Sequence, residues 1–400
     1  MNNVYKYLRY AMICIIMALL AIIAYRIVYV NCTTQYDGEL LQTDFLVHMQ
    51  ESKHILDDGF AGILNHVGYP LWHIGTWTVQ YLLNSKWYVA AGINTAILYA
   101  CMYLVYYISL NKRIDNGWIR VMLAAYLMIL QPISKAGVLF QLAQRSQLIS
   151  AWHNPTNIWA RLLAVPIVLL AMRIWTESEK VSWKQYVALG IMLCVVNLGK
   201  PSFSQVFIPS ICIFCVVACI KERFAPFKTC LRLAVACLPS LILMAIQWGM
   251  TFEGNGEGGV EIAWFKVMAA SNKLSPVVLL GTIAFPLYYV IAYKKWKNPS
   301  EEMKFAWLMY AISFLEFAAL AEVGERTYHC NFGWGYMIAI MILHMVCILD
   351  FIERKRLQKM DAIAISKGAI AIILLLLHFV SGISWMWYEI SEAGLLIKML

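Results

Sequence analysis

Charged residues are scarce in this chain of 400 residues: Asp, Glu, Lys and Arg make up 14% of it, whereas 61% is hydrophobic. Ordinary soluble domains are about 25% charged and about 45–50% apolar. The apolar residues come in long runs, such as AMICIIMALLAII at 11–23 and AIAIILLLLHFV at 369–380. Because about 20 apolar residues cross a bilayer, the sequence predicts an integral membrane protein with several spans.

Sequence signals of several other protein classes are missing. The 11 cysteines form no CxxC pair with partner ligands, and most lie inside apolar runs, where they are small packing residues. The glycines in 251–265 lack GxGxxG order, so no nucleotide loop is indicated. The first apolar run is too long for a secretion signal and ends without a small-x-small cleavage site.

The net charge of +9 reflects short basic loops rather than a nucleic-acid partner. The pattern predicts an all-α polytopic membrane protein forming a single domain over 1–400, with a cytoplasmic N-terminus. The segment 67–84 is predicted as an interfacial or re-entrant helix or as a twelfth span. The eleven predicted spans are 9–30, 87–110, 118–134, 158–175, 185–199, 204–220, 231–251, 276–293, 305–322, 334–351 and 368–388.

The first outer loop, 31–86, carries a predicted interfacial helix over 43–58. The stretch has no Gly or Pro, and Gly59 is a plausible helix stop. Asp44, His48 and Glu51 fall on one side of that helix, at i, i+4 and i+7. A structural alternative has about even weight: Thr43 caps the helix and Asp44 merely complements its dipole.

Three further outer loops carry polar residues. His153 and Asn154 precede a predicted span. As a structural alternative, Pro155, Thr156 or Asn154 suits the start of that helix. Arg161 lies one turn inside the span, where a cation usually faces a polar cavity. Lys200 is either a phosphate ligand or a lysine that snorkels to the interface. The last loop holds Glu322, Glu325, Arg326 and His329, and Glu316 lies deeper in the same span; a buried Glu–Arg pair is the structural alternative.

The layout resembles the integral-membrane glycosyltransferases of the GT-C structural class. The matching features are a first span, a long outer loop with an early acidic residue, an interfacial helix and an aromatic-Pro segment, here TDFLVHMQESKHILDDG followed by GYPLWH. The resemblance covers the layout of the whole chain but particular residues only around 43–73. Many members carry an acidic pair at this point, whereas this sequence has the single Asp44.

The resemblance implies an inverting transfer of a sugar from a polyprenyl-phosphate donor to the hydroxyl of a glycan, lipid or protein acceptor outside the cytoplasm, in a bacterial plasma membrane. Asp44 would be the general base, with His48 beside it. The implied substrate-binding residues are His153, Asn154, Arg161, Lys200, Glu322, Glu325, Arg326 and His329, with Arg145 of second rank. A divalent metal, Mg or Mn, stays optional because there is no acidic pair. A transporter or flippase, a polysaccharide polymerase and a non-catalytic membrane scaffold are the alternatives.

Overall fold

The computed structural model describes residues 2–54, 68–133, 152–252, 259–270, 276–357 and 361–392, and within them the chain is almost entirely α-helical. The helices are α1 (Asn2–Thr33), α2 (Asp44–Glu51), α3 (Leu71–Leu83), α4 (Trp87–Ser109), α5 (Gly117–Ile129), α6 (Asn157–Thr176), α7 (Trp183–Gly199), α8 (Ser202–Lys221), α9 (Phe227–Phe252), α10 (Lys266–Ala270), α11 (Pro276–Thr282), α12 (Ala284–Ala292), α13 (Glu301–Ala319), α14 (Gly333–Leu357) and α15 (Ala362–Ile390).

Short elements connect some of these helices. Two antiparallel strand pairs, which the sequence had not predicted, are β1 (Gln35–Tyr36) with β2 (Glu39–Leu40) and β3 (Val260–Ile262) with β4 (Leu320–Glu322). The 3₁₀ turns are Leu110–Lys112, Lys295–Lys297 and Gly324–Tyr328. The β3–β4 pair joins the segment after α9 to the end of α13, and thereby brings two distant loops together.

Seven helices of the described chain are long and apolar enough to cross a membrane: α1, α4, α6, α8, α9, α14 and α15. Two more, α5 and α7, are apolar but shorter, with 13 and 17 residues. The protein is therefore an all-α integral membrane protein. A helix occupies each of the eleven predicted spans, although membrane crossing by the remaining helices stays a prediction.

Two predicted segments differ in detail from the observed helices. The span predicted over 276–293 is interrupted between Thr282 and Ala284. Pro286 lies four residues after Thr282 and has no N–H to donate to the carbonyl of Thr282, which explains a break at this place. The helix predicted over 43–58 ends at Glu51: the amide of Ser52 still bonds to the carbonyl of His48, and that of Lys53 makes a tighter bond to Gln50. Residues 55–58 lie outside the described part of the chain.

The helices are arranged around α14. In α14, 89% of the most apolar window is buried, whereas only 22% of the corresponding windows of α9 and α15 is buried. A helix that is apolar on all sides is typical either of a protein core or of a lipid-exposed position. The difference in burial therefore places α14 in the core of the bundle and α9 and α15 at its apolar surface.

Glycines allow the closest approaches between helices. A Cβ atom at Gly190 of α7 would lie 2.8 Å from the carbonyl oxygen of Ala236 in α9. A Cβ at Gly382 of α15 would overlap the carbonyl oxygen of Ile129 at the end of α5. Small residues at such crossings let backbones pack closely, which drives helix association in a bilayer.

We expect Gly382→Ala to lower the thermal unfolding midpoint of the protein. The added methyl group would force α15 away from α5, and overpacking of this kind costs about 1–3 kcal/mol of unfolding free energy. The measurement is thermal unfolding in detergent beside Gly259→Ala, whose Cβ would meet no atom closer than 3.9 Å. Equal midpoints for the two variants would contradict the tight contact at Gly382.

Candidate functional site

The first part of the site is the start of α2. The Thr43 hydroxyl accepts a hydrogen bond from the Leu46 amide at 3.2 Å and donates one to the carbonyl of Asn31 at 2.9 Å. Thr43 therefore caps α2 and also attaches it to the end of α1. Phe45, Leu46 and Met49 are buried, so the apolar side of α2 packs on the bundle. The next residue after the cap is Asp44, which starts the helix.

Asn154 orients the carboxylate of Asp44. The Asn154 side-chain oxygen accepts hydrogen bonds from the Asn157 amide at 3.1 Å and from the Thr156 hydroxyl at 2.7 Å, at the beginning of α6. Both partners are donors, so the amide oxygen must face them and the amide nitrogen must face the other way. That nitrogen donates to Asp44 Oδ2 at 2.7 Å. The start of α6 thus determines the hydrogen bond that Asp44 receives.

His153 lies between two carboxylates. Its Nε2 is 3.8 Å from Asp44 Oδ1, and its Nδ1 is 3.9 Å from Oε1 of Glu389 near the end of α15. These separations are ion-pair distances and are too long for hydrogen bonds. Glu389 is fully buried, whereas the side chains of His153 and Asp44 keep 29% and 37% of their surface exposed. Three elements that are distant in sequence therefore meet at His153.

On the other side of Asp44 is a pair of histidines. His48 Nδ1 lies 3.0 Å from Nε2 of His73, which is fully buried in α3. Burial lowers the pKa of His48 from 6.5 to about 4, although Asp44 acts in the opposite direction. His48 is therefore neutral at pH 7, and a neutral imidazole can donate or accept a hydrogen bond but carries no charge toward Asp44.

Lys200 occupies the turn between α7 and α8. Pro201 cannot continue α7, and Gly199 leaves room for the side chain of Trp159 at the turn. Lys200 is 5% exposed, and its ammonium lies over the rings of Tyr69 and Trp334, at 5.6 and 5.2 Å from their centres. The ammonium forms no hydrogen bond or ion pair with any described residue.

The charge of Lys200 is thus only weakly compensated. Burial lowers the pKa of Lys200 from 10.5 to about 8, partly offset by attraction to Asp44. The ammonium is still mostly protonated at pH 7. The N-terminus of α8 begins two residues later, and its first N–H groups lack partners within the helix. The same corner of the fold therefore presents an ammonium and a helix dipole to an anion.

Lys200 lines a cavity of about 700 Å³ that opens to the surface. Arg326 lines it too, and its guanidinium lies 3.3 Å from the buried carboxylate of Glu322. Asn331 also bonds to that carboxylate, from the loop after the last 3₁₀ turn. The other lining residues are Tyr69, Pro201, Ser202, Gln205, Met244, Gln247, Trp248, Val260 and Phe332.

Asp44 is coupled electrostatically to this cavity. Burial by itself raises the pKa of Asp44, but His153, His48, Lys200 and the hydrogen bond from Asn154 outweigh it, and the pKa of Asp44 falls below its usual 3.8. His48 is neutral at pH 7 and therefore does not lower the pKa of Asp44 there. Lys200, His153 and the hydrogen bond from Asn154 are the groups that lower it. Asp44 is accordingly an ionised, oriented and partly accessible carboxylate.

The other predicted site residues lie elsewhere. Arg161 is buried in α6, and its guanidinium donates to the carbonyls of Leu127 and Met128 in the last turn of α5, at 3.4 and 3.2 Å. It therefore satisfies carbonyl groups that a helix end leaves without partners. His329 is exposed at the end of a 3₁₀ turn and does not line the cavity. Arg145 and the side chain of Glu325 lie outside what the structure describes.

The predicted optional metal finds little support in the donor set. Within the described residues, no group of three or more His, Cys, Asp or Glu side chains converges as metal ligands. Asp44 stands beside an amide nitrogen and imidazoles rather than a second carboxylate, whereas Mg²⁺ and Mn²⁺ prefer oxygen ligands. These residues do not fit a divalent metal.

Sequence reasoning missed several residues of the site. Glu389 is a carboxylate at the end of the last apolar run, and the rarity of such residues could have singled it out. Tyr69 lies in the GYPLWH segment, but its position under Lys200 has no local signal. The polar residues Asn331, Gln247 and Gln205 join the cavity through helix packing alone.

We expect Lys200→Met to stabilise the protein at pH 7. The unfolded chain binds more protons than the folded one between pH 8 and 10.5, so the wild type gains stability as the pH rises through this window. The difference between a pKa of 10.5 and one of about 8 corresponds to roughly 3 kcal/mol at pH 7. Thermal unfolding at pH 7 and pH 10 tests this, with the exposed Lys184→Met as control. If Lys200→Met raised the unfolding midpoint equally at pH 7 and pH 10, the burial of a charged lysine would not explain the gain.

The comparisons with known proteins add no relative to this description. The sequence matches no protein-family model and no curated protein. A functional assignment for the chain therefore rests on Asp44 with its neighbours Asn154 and His153, and on Lys200, which lines the cavity and acts electrostatically on Asp44.

Proposed function

We propose that the protein is a membrane glycosyltransferase that moves a sugar from a polyprenyl-phosphate donor to an acceptor hydroxyl. One observation carries the proposal. An ionised carboxylate that Asn154 orients is coupled electrostatically to a buried lysine, and this lysine lines a cavity and forms no ion pair with a carboxylate among the described residues. General-base transfer to a phosphate-linked electrophile needs these two groups together.

The phosphate of the donor would bind at Lys200. Lys200 is an ammonium held in apolar and aromatic surroundings, where attraction to an anion is stronger than in water. Arg326 and the first N–H groups of α8 supply further positive potential at the cavity wall. Ser202, Gln205 and Asn331 add polar groups on the same wall for the phosphate or the sugar hydroxyls.

The lipid part of the donor would leave the cavity toward the bilayer. Met244 and Trp248 of α9 line the cavity, and Trp248 is 47% exposed. α9 is also one of the helices whose apolar surface is mostly exposed. A polyprenyl chain that emerges beside Trp248 would thus stay in apolar surroundings while its phosphate reaches Lys200.

In the proposed reaction, the acceptor hydroxyl attacks the anomeric carbon of the donor on the face opposite the phosphate. The bond from that carbon to the phosphate oxygen breaks, and the phosphate keeps the electron pair, which Lys200 and Arg326 stabilise. The hydroxyl proton passes to Asp44, whose carboxylate can accept it because it is ionised at neutral pH. The sugar is transferred with inversion of configuration.

Glu389 would act through His153 as a positioning residue. The buried carboxylate of Glu389, 3.9 Å from one ring nitrogen of His153, would hold the ring so that its other nitrogen faces Asp44. His153 lowers the pKa of Asp44 and so helps to keep it ionised until the acceptor arrives. The same ring offers a route for the proton to leave Asp44 after the transfer.

The cavity would open on the non-cytoplasmic side, as the distribution of basic loops predicts. Lipid-linked sugars of the polyprenyl type are then the accessible donors, and a bacterial plasma membrane is the proposed location. The acceptor is a glycan, lipid or protein hydroxyl that reaches the cavity from outside. This part of the proposal rests on the loop charges and on the resemblance to the GT-C class.

We expect Asp44→Asn to abolish transfer and to leave donor binding in place. Removing the general base costs about 10²–10⁴-fold in rate, whereas the phosphate contacts at Lys200 remain. Donor retention is measured by native mass spectrometry with a panel of polyprenyl-phosphate sugars, and turnover is measured with added acceptors. Glu51→Gln on the same helix is the matched control, because its charge does not act on Asp44.

The outcomes separate the possible failures of this proposal. Folded wild-type protein that retains no polyprenyl-phosphate sugar would remove the proposed substrate and favour a transporter. Retention with equal turnover by wild type and Asp44→Asn would keep the substrate but remove Asp44 from the chemistry. Lys200→Met should weaken donor retention, in contrast to its stabilising effect on the empty protein.

We expect Glu389→Gln to shift the acid limb of the rate profile to higher pH. Without the carboxylate, His153 is held less firmly beside Asp44, it lowers the pKa of Asp44 less, and Asp44 is protonated at a higher pH. The rate constant kcat should fall only toward the acid end of the profile, near and below the usual aspartate pKa of 3.8, with little change in the KM for the donor. Glu392→Gln, an exposed carboxylate at the same end of α15, is the control. A uniform loss at all pH values would indicate a merely structural role.

A further inference from the structure

A second cavity lies on the bilayer-facing side of the bundle, away from the Lys200 cavity. It is a groove of about 1620 Å³ between α7 and α9, and this volume includes the space open to the surroundings. Gly190 forms its floor, because its missing side chain lets α7 approach the backbone of Ala236. Most of its walls are aliphatic: Val187, Ile191 and Val195 on α7, and Leu231 and Val235 on α9.

One end of the groove is polar. Tyr186 is 7% exposed, and its hydroxyl has no hydrogen-bond partner among the described residues. A buried hydroxyl without a partner lowers stability, so a ligand that supplies an acceptor is favoured there. The guanidinium of Arg232 lies 5.9 Å from the centre of the Tyr186 ring, and Arg232 forms no ion pair in the described part of the chain. Both side chains line the same groove.

Trp183 marks the level of this polar end. It lines the groove and is 70% exposed. Exposed Trp side chains are enriched at the boundary between lipid and water, where headgroups lie. An apolar groove that begins at this level with a guanidinium and a free hydroxyl matches an acyl chain attached to an anionic headgroup.

We propose that the groove between α7 and α9 binds an anionic glycerophospholipid, with its phosphate at Arg232 and Tyr186 and an acyl chain along Val187, Ile191 and Val195. The guanidinium would pair with phosphate oxygens, as Arg does in bidentate phosphate contacts. The Tyr186 hydroxyl would donate its hydrogen bond to the same phosphate. The aliphatic walls would cover the chain.

This site is distinct from the one proposed for the donor. Tyr186 is near the beginning of α7 and Lys200 follows its end, and a helix of 17 residues is about 25 Å long. The two polar ends therefore belong to opposite ends of the bundle. A lipid held at Arg232 would stabilise the contact between α7 and α9, since a ligand that binds the folded state raises its stability.

The test is native mass spectrometry of the full chain in detergent, titrated with phosphatidylglycerol, phosphatidylcholine, a polyprenyl phosphate and glycerol 3-phosphate. We expect one molecule of phosphatidylglycerol to bind, and to bind more tightly than phosphatidylcholine. Glycerol 3-phosphate should be released. Arg232→Gln should weaken the binding of phosphatidylglycerol about tenfold, which corresponds to about 1.4 kcal/mol. Tyr186→Phe should weaken it about threefold.

Two further variants keep the result interpretable. Lys184→Gln removes a positive charge one position after Trp183, at an exposed residue that does not line the groove, and should leave binding unchanged. Val187→Trp fills the groove from an exposed position and should reduce lipid binding although it removes no polar group. Thermal unfolding without added lipid shows that each variant is folded.

Several outcomes would overturn the proposal. If Arg232→Gln and Lys184→Gln weakened the binding of phosphatidylglycerol equally, only the overall positive charge at the polar end of the groove would attract the lipid. Tight binding of glycerol 3-phosphate would reveal a site for a soluble phosphate, and unchanged binding in Val187→Trp would remove the groove from the interaction. Preferred retention of the polyprenyl phosphate, lost in Arg232→Gln, would assign the groove to a different lipid.

Discussion

The hydrogen bonds of Asn154 are the interaction on which the site depends. Its side-chain oxygen caps α6, and its side-chain nitrogen holds Asp44 at the start of α2. An amide group has one acceptor end and one donor end. Because the oxygen of Asn154 caps α6, its nitrogen is the end that faces the carboxylate of Asp44. A substitution that removed the cap of α6 would therefore also displace the carboxylate of Asp44, even if Thr43 still capped α2.

The polar groups of the site are found at helix ends for a general reason. Within a bilayer, backbone groups must be satisfied inside the protein, so helices run without interruption until they reach the interface. Only there do N–H and C=O groups lack partners in the helix and require polar side chains. Thr43, Asn154 and Arg161 each serve a helix end, and Lys200 lies at another. Structural caps and candidate catalytic groups are therefore neighbours.

Much of the fold was predictable because apolar run length is a local property. Seven of the described helices are long and apolar enough to cross a membrane, whereas the count of eleven spans stays a prediction; the interruption near Ile283 could have been anticipated from Pro286. The site was predictable only in part. Asp44, His153, Asn154 and Lys200 come together, but Arg161 satisfies carbonyls of α5 and His329 stays exposed away from the cavity. A polar residue near a span end has the same appearance in the sequence whether it caps a helix or faces a ligand.

The sequence by itself determined that this is a helical membrane protein, and it placed acidic, basic and imidazole groups in four loops between apolar runs. These are consequences of composition and spacing, which act over a single helix. The tertiary structure alone decided that Glu389 faces His153 and that Tyr69 lies under Lys200. It also decided that α7 and α9 leave a groove lined by Tyr186, whose hydroxyl has no hydrogen-bond partner among the described residues. Such contacts join residues that are far apart in the chain, and they follow from which helix faces pack together, a property that no local pattern encodes.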